Sequence, residues 1–275
     1  MRMGEEITSA IGKLVDVITN LEPRVEPRTP ELRSAWRDLG STWTAEWARS
    51  LGRDLTKAAA ALDRARTIGA TEDGAAEVEN ALWRVEAAYE KLHDVIALGL
   101  GVPALELTKN RKGIRRFESD RRANRKRLRE LTDRWTVAQT LLDLDQQIGR
   151  HRFLELRHQL THSLAPILAW RSLLWFEVAE IDQRGGVVAY SSRHLTPSER
   201  IQGGTPPGQL FVHTVSEGAD VISLMQRAVL ALAELLTRAG HLEPPPILWR
   251  AMQTGEIFFE REAATRAARA ASSSV

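Results

Sequence analysis

His151-Arg152-Phe153-Leu154-Glu155-Leu156-Arg157-His158-Gln159-Leu160-Thr161-His162-Ser163-Leu164-Ala165-Pro166 is the stretch from which the rest of the chain can be read. Phe153, Leu156, Leu160 and Leu164 recur at three- and four-residue intervals, the spacing that lays one apolar stripe along a helix. An amphipathic helix is therefore predicted, ending before Pro166, which would remove a backbone hydrogen bond from its interior. At about 100° per residue, Glu155, His158 and His162 share an outward face, while Arg157 sits on the shoulder of the apolar stripe. Arg157 and His162 then lie about 140° apart on the wheel. If they work as a unit, either the Arg side chain wraps round or a second copy of the helix faces the first.

Arg157-His158-Gln159-Leu160-Thr161-His162 resembles the signature of the HEPN ribonucleases: Arg, a polar residue, a short spacer and His on one helix of an α-helical bundle. The resemblance implies a mainly-α fold, an antiparallel HEPN-like bundle over about 75–240. Extra N-terminal helices over 1–70 fall outside it, a small β-hairpin is inserted at about 173–215, and a short helix with a flexible tail fills 241–275. It further implies a homodimer in which two motifs meet as a composite site for RNA cleavage, with no metal or other cofactor. In that reading His162 is the acid/base residue, Arg157 clamps phosphate, His158 completes the catalytic set, and Gln159 and Thr161 support it. Toxins and antiviral defence effectors belong to the same family, so an antitoxin or regulatory protein is implied as a further partner. The chain departs from the toxin subgroup that carries a Tyr shortly after the final His, since Ser163-Leu164-Ala165-Pro166 follows here.

The chemistry suits these residue types. Cleavage without metal needs a base for the ribose 2′-OH, a cation at the phosphorane and an acid for the leaving 5′ oxygen. His exchanges protons near neutral pH, and Arg is a permanent bidentate phosphate donor. The expected products are a 2′,3′-cyclic phosphate and a 5′-hydroxyl.

Composition bounds the reading. The 275 residues are 43% hydrophobic, enough for a real core, and include no cysteine, which excludes disulfides and thiolate metal sites. No apolar run has the form of a signal peptide or a membrane span, so a cytoplasmic protein with no membrane contact is expected. A net charge of +2 makes the position of the charge more informative than its total.

Working outward, a first helix is predicted over about Glu5 to Leu21, followed by a proline-broken elbow over 22–30. Thr29-Pro30-Glu31 reads as a cap and first turn of a second helix carrying Trp36, Trp43 and Trp47 on a leucine stripe. Core or interface packing is favoured there over base stacking. After a loop from Gly69 to Gly74, Val78, Leu82, Val85, Tyr89, Leu92 and Ile96 form a heptad-like seam ended by Gly99 to Pro103. Glu86, Glu90, His93 and Asp94 on that helix read as a solvated face, or else as groups orienting the motif. The basic tract Lys109 to Arg129 runs into a predicted long helix striped by Leu128, Leu131, Trp135, Ala138 and Leu142. Arg115, Arg122, Arg125, Lys126 and Arg129 are the candidate RNA contacts, the last four on one side of that helix. Beyond the motif, Leu173 to Ile181 and Val187 to Tyr190 read as a hairpin, Leu210 to Val215 as a third strand, and Ser216 as the cap of a last helix ending near Gly240.

Two other readings compete. Glu155, His158 and His162 share a face and could ligate a metal in a hydrolase, although Arg157 opposes a cation there. Alternatively, a non-catalytic HEPN-like dimer binds RNA or a partner protein through the basic helix over about 109–134.

Overall fold

Ile7, Ala10, Ile11, Leu14 and Ile18 recur every three or four residues, and all five are buried along one face of α1, Met3–Asn20. The computed structural model that shows this describes residues 3–22, 30–69, 71–101, 105–109, 115–154, 180–181, 187–188 and 207–243. Helix α2, Pro30–Ile68, opens on a proline at its first position, where the missing N–H costs nothing. Gly69 at φ +79° closes it, and its N–H donates to Ala65 O at 2.9 Å. Two residues on, Thr71 caps α3, Glu72–Leu100, its hydroxyl accepting from Gly74 N–H at 3.2 Å. Gly74 is therefore inside the first turn of α3 and not in a loop.

Helices α2 and α3 pack as an antiparallel pair. Arg64 meets Glu77 near the turn, and further along the buried Asp54 takes Arg84 at 3.1 Å and also pairs with Lys91. The basic helix predicted over about 109–134 is not helical at its start, where Lys109 and Arg115 lie in strands, and the long helix it was to run into is two helices, α4, Arg121–Thr132, and α5, Thr136–Gly149. Leu128 and Leu131 are buried from α4, Ala138 and Leu142 from α5. Trp135 sits half-buried at the break in an extended conformation, with Arg134 4.8 Å over its ring. Periodicity alone carries the stripe across this break; the turn at Asp133 and Arg134 is what redirects it.

The last described helix, α6, Pro207–Ala239, packs against α1, α2, α3 and α5. It absorbs the predicted third strand: Leu210 to Val215 is helical, and Ser216 lies within the helix instead of capping it. The β-branched run suggested a strand, but Thr214, Val215, Gly218, Val221, Ile222 and Met225 are buried at helical spacing. Packing of that face overrides local propensity. Trp47 of α2 packs against the same core; the side chains of Trp36 and Trp43 lie outside the described residues.

The described extended pairings are short. Leu105–Lys109 runs antiparallel to Arg115–Ser119 between α3 and α4, and Glu180–Ile181 to Val187–Val188. Most of the 173–215 insertion lies outside the described residues. One continuous core joins residues of α1 through α6 with Phe153, so the described helices form a mainly-α bundle.

Glycines stand where elements approach closely. A Cβ on Gly52 would meet Ile11 at 2.8 Å, on Gly99 Leu236 at 2.9 Å, and on Gly101, at φ +64°, Glu243 Cβ at 2.8 Å and its carbonyl at 3.0 Å. Gly101→Ala combines a left-handed backbone with a clash against main chain, and is expected to cost about 1–3 kcal/mol. Gly12→Ala in α1, with nothing within 4 Å of its added Cβ, should stabilise by up to about 1 kcal/mol through helix propensity. Thermal unfolding followed by circular dichroism checks both signs; a rise in Tm for Gly101→Ala would contradict the packing described.

Candidate functional site

The motif segment leaves α5 through Arg150 and opens a new helical turn at 152–154. Phe153 N–H donates to His151 Nδ1 at 3.2 Å and Leu154 N–H to His151 O at 2.9 Å, so His151 caps the turn. Phe153 is fully buried beside Gly218 of α6, where an added Cβ would lie 2.9 Å from Leu62 of α2 and 3.0 Å from the Phe153 ring. The start of the segment is thus seated in the core, on the apolar phase its sequence predicts. Glu155, Arg157, His158, Gln159, Thr161 and His162 lie outside the described residues.

The candidate RNA contacts separate. Arg122, Lys126 and Arg129 are exposed on α4 and make no ion pair with a described residue. Arg115 lies on the Arg115–Ser119 strand. Arg125 does not belong with the solvated row: its Nε donates to Asp145 Oδ2 of α5 at 2.5 Å, and its side chain is 31% exposed. Two further arginines of α4 are also committed inward. Arg121 stacks 4.5 Å over the Tyr89 ring, and Arg127 donates to Leu100 O at 3.1 Å and to Glu243 at 2.5 Å, tying α4 to the end of α3.

The expected solvated face of α3 is largely buried. Glu90 is exposed, but Glu86, Asp94 and His93 are buried, His93 to 1% exposure. His93 and Tyr89 converge on Asp145, which is fully buried, and Asn124 of α4 holds His93 from its other side. Tyr89 OH donates to Asp145 Oδ1 at 2.8 Å, and His93 Nε2 lies 2.9 Å from the same oxygen, close but not in line for a straight hydrogen bond. Asn124 fixes the ring's protonation. Its Nδ2 donates to the His93 carbonyl at 2.9 Å, which only the amide nitrogen can do, and its second N–H points at His93 Nδ1, 3.0 Å away. Nδ1 must therefore accept, and the ring proton belongs on Nε2, facing Asp145.

Charge follows from this geometry. Burial alone would raise the Asp145 carboxyl, but His93, Arg125 and Tyr89 outweigh it and bring its pKa from the ordinary 3.8 down to about 2. Burial holds the His93 pKa below its usual value, with the Asp145 charge opposing. Burial, reinforced by Asp145, pushes the Tyr89 phenol up. At neutral pH the cluster is an ionised Asp145, a cationic Arg125, a neutral His93 and a neutral Tyr89. Asp145, His93 and Tyr89 are enclosed, so the cluster fastens α3, α4 and α5 together, and only Arg125 keeps an edge open to solvent.

Sequence reading by solvated faces missed Asp145, and a signal was present. Asp145 falls in register with Ala138, Leu141, Leu142 and Ile148, His93 with Tyr89 and Ile96, and Asn124 with Leu128 and Leu131. Three polar residues on three apolar stripes point to one buried polar contact.

A second link joins the cluster to the motif segment. A Cβ on Gly149 would lie 2.8 Å from Tyr89 OH and 3.1 Å from Arg125 Nη2. The Arg125 guanidinium therefore lies over the last residue of α5, two positions before His151. Among the described residues no group of three or more His, Asp or Glu side chains is placed to hold a metal ion, and no helix is long and apolar enough to cross a membrane. Comparison with protein-family models, curated proteins and solved structures finds no match to the chain.

Asp145→Asn removes the charge that pairs with Arg125, which is partly open to solvent, and is expected to cost about 1.5–3 kcal/mol. Urea unfolding measures this; an unchanged midpoint would show that the cluster carries no stability. The pKa shifts set a pH dependence with a definite sign. Both His93 and Asp145 bind protons less readily folded than unfolded. The His93 contribution is complete above about pH 6.5 and is withdrawn as pH falls below it. The Asp145 contribution, about 2 kcal/mol, is present above about pH 4 and is lost as pH falls towards 2. Unfolding free energy measured from neutral pH downward should fall in both windows; a flat profile would rule this out.

Proposed function

We propose that the chain is a HEPN-type, metal-independent endoribonuclease in which Arg157 and His162 of two copies form a composite site. His162 acts as general acid/base, Arg157 clamps the scissile phosphate, and His158, Gln159 and Thr161 support them. The reading rests on the Arg157–His162 motif and is supported by one observation in particular. Arg125 overlies Gly149, so the basic helix α4 and the root of the motif segment share one edge of the bundle. A cationic surface beside a phosphate-cleaving motif serves to hold the RNA backbone. A toxin or defence effector, with an antitoxin or other regulatory protein as partner, is the corresponding biological role, and the cytoplasm the corresponding compartment.

The second reading, a non-catalytic dimer that binds RNA through α4, is favoured by the exposure of Arg122, Lys126 and Arg129 without acidic partners among the described residues. One assay separates the readings: cleavage of a labelled single-stranded RNA in EDTA by the native chain and by His162→Ala. The expected outcome is EDTA-resistant cleavage leaving cyclic phosphate ends, reduced by roughly 10²–10⁴-fold in the variant. Loss of cleavage in EDTA would transfer the reading to a metal held by Glu155, His158 and His162. RNA binding without cleavage would leave α4 as the functional element.

A further inference from the structure

Helix α4 carries Arg121, Arg122, Arg125, Lys126, Arg127 and Arg129 against a single acid, Glu130, which pairs with Arg127. This excess of cations does not point one way. Arg127 is turned to the end of α3, and Arg122, Lys126 and Arg129 are turned to solvent. Arg125 does both. Its Nε edge is held by the buried Asp145, while about a third of the side chain remains open to solvent. Nη2 reaches Tyr89 OH at 3.4 Å and takes the space over Gly149 that a side chain there would fill. A guanidinium has two hydrogen-bonding edges, so one can be fixed to a carboxylate while the other meets an outside anion.

We infer that Arg125 is an RNA phosphate contact, held ready by Asp145 from beneath, at the α4–α5 edge from which the motif segment departs. The inference rests on the RNA reading above and deepens it. Exposed Arg122 and Lys126 beside Arg125 supply diffuse attraction, whereas the Arg125 fork is fixed before RNA arrives and loses little side-chain freedom on binding. Asp145 is a positioning residue here: it touches no RNA and acts by fixing the Arg125 rotamer. The Asp120 carboxylate, the nearest acid at the start of α4, accepts from the Arg122 backbone N–H at 2.8 Å. The contact is to backbone phosphate, so it applies to any RNA sequence alike.

The test is fluorescence anisotropy of a short labelled single-stranded RNA over a range of salt concentrations. It uses the His162→Ala background, so that RNA is not cut, and compares it with Arg125→Gln, Arg125→Lys and Arg122→Gln added to it. Arg125→Lys keeps a cation beside the buried Asp145 and so preserves the fold, which circular dichroism verifies. A lysine is one point of charge and cannot serve Asp145 and a phosphate together. The expected result for both Arg125 variants is about tenfold weaker binding, equal for unrelated RNA sequences, with the slope of log Kd against log salt smaller by about 0.7, one phosphate contact. Folded Arg125→Lys with the parent's affinity and slope would overturn the inference, and if Arg122→Gln still lowers the slope the RNA reading stands without it. Absence of salt-dependent RNA binding by the parent would overturn both.

Discussion

Asp145 is a charged carboxylate with no exposure, and such a group is tolerated in a core only when its charge and its lone pairs are met by fixed partners. Here the partners come from two other helices: Tyr89 and His93 from α3, Arg125 from α4. Each needs its helix at a set height and rotation relative to α5. An apolar seam could slide by a turn at modest cost; this contact cannot, because a displaced Arg125 or Asp145 would leave a buried charge uncompensated. The cluster therefore specifies how three helices meet as well as adding to their stability.

The same contact gives α4 its divided character. With Arg121 and Arg125 drawn inward and Arg127 capping the end of α3, the helix is immobilised along its length by its own basic residues. The remaining cations, Arg122, Lys126 and Arg129, are then presented from a rigid element, not from a flexible tail. Presentation from a packed helix fixes the spacing at which these cations would meet a polyanion. Phe153, seated against Gly218 and Leu62, fixes the root of the motif segment in the same body.

Much of this architecture was legible in residue spacing. The three- and four-residue recurrence of Ile7, Ile11, Leu14 and Ile18, and of Val78 to Ile96, located α1 and α3 closely, because an apolar stripe that must be buried leaves few alternatives. Leu210 to Val215 misled because β-branched residues favour strands locally, while the burial of Thr214 and Val215 against the bundle is a long-range fact. The break between α4 and α5 was hidden by a stripe that continues in phase across it. The polar cluster was written in the sequence, as Asp145, His93 and Asn124 each interrupt an apolar stripe, but which stripe meets which is decided only in three dimensions. The proposed pairing of Arg157 with His162 is of the same kind: on a helical wheel they diverge, and whether they meet is decided by what faces them.

The most direct test of the buried cluster is nitrogen-15 NMR of the His93 ring as a function of pH. Asn124 donating to Nδ1 and the carboxylate of Asp145 facing Nε2 predict a neutral ring protonated at Nε2, persisting below the pH of about 6.5 at which a free histidine titrates. A ring that titrates near 6.5, or that carries its proton on Nδ1 at neutral pH, would contradict the arrangement on which the rest of the fold and the orientation of Arg125 depend.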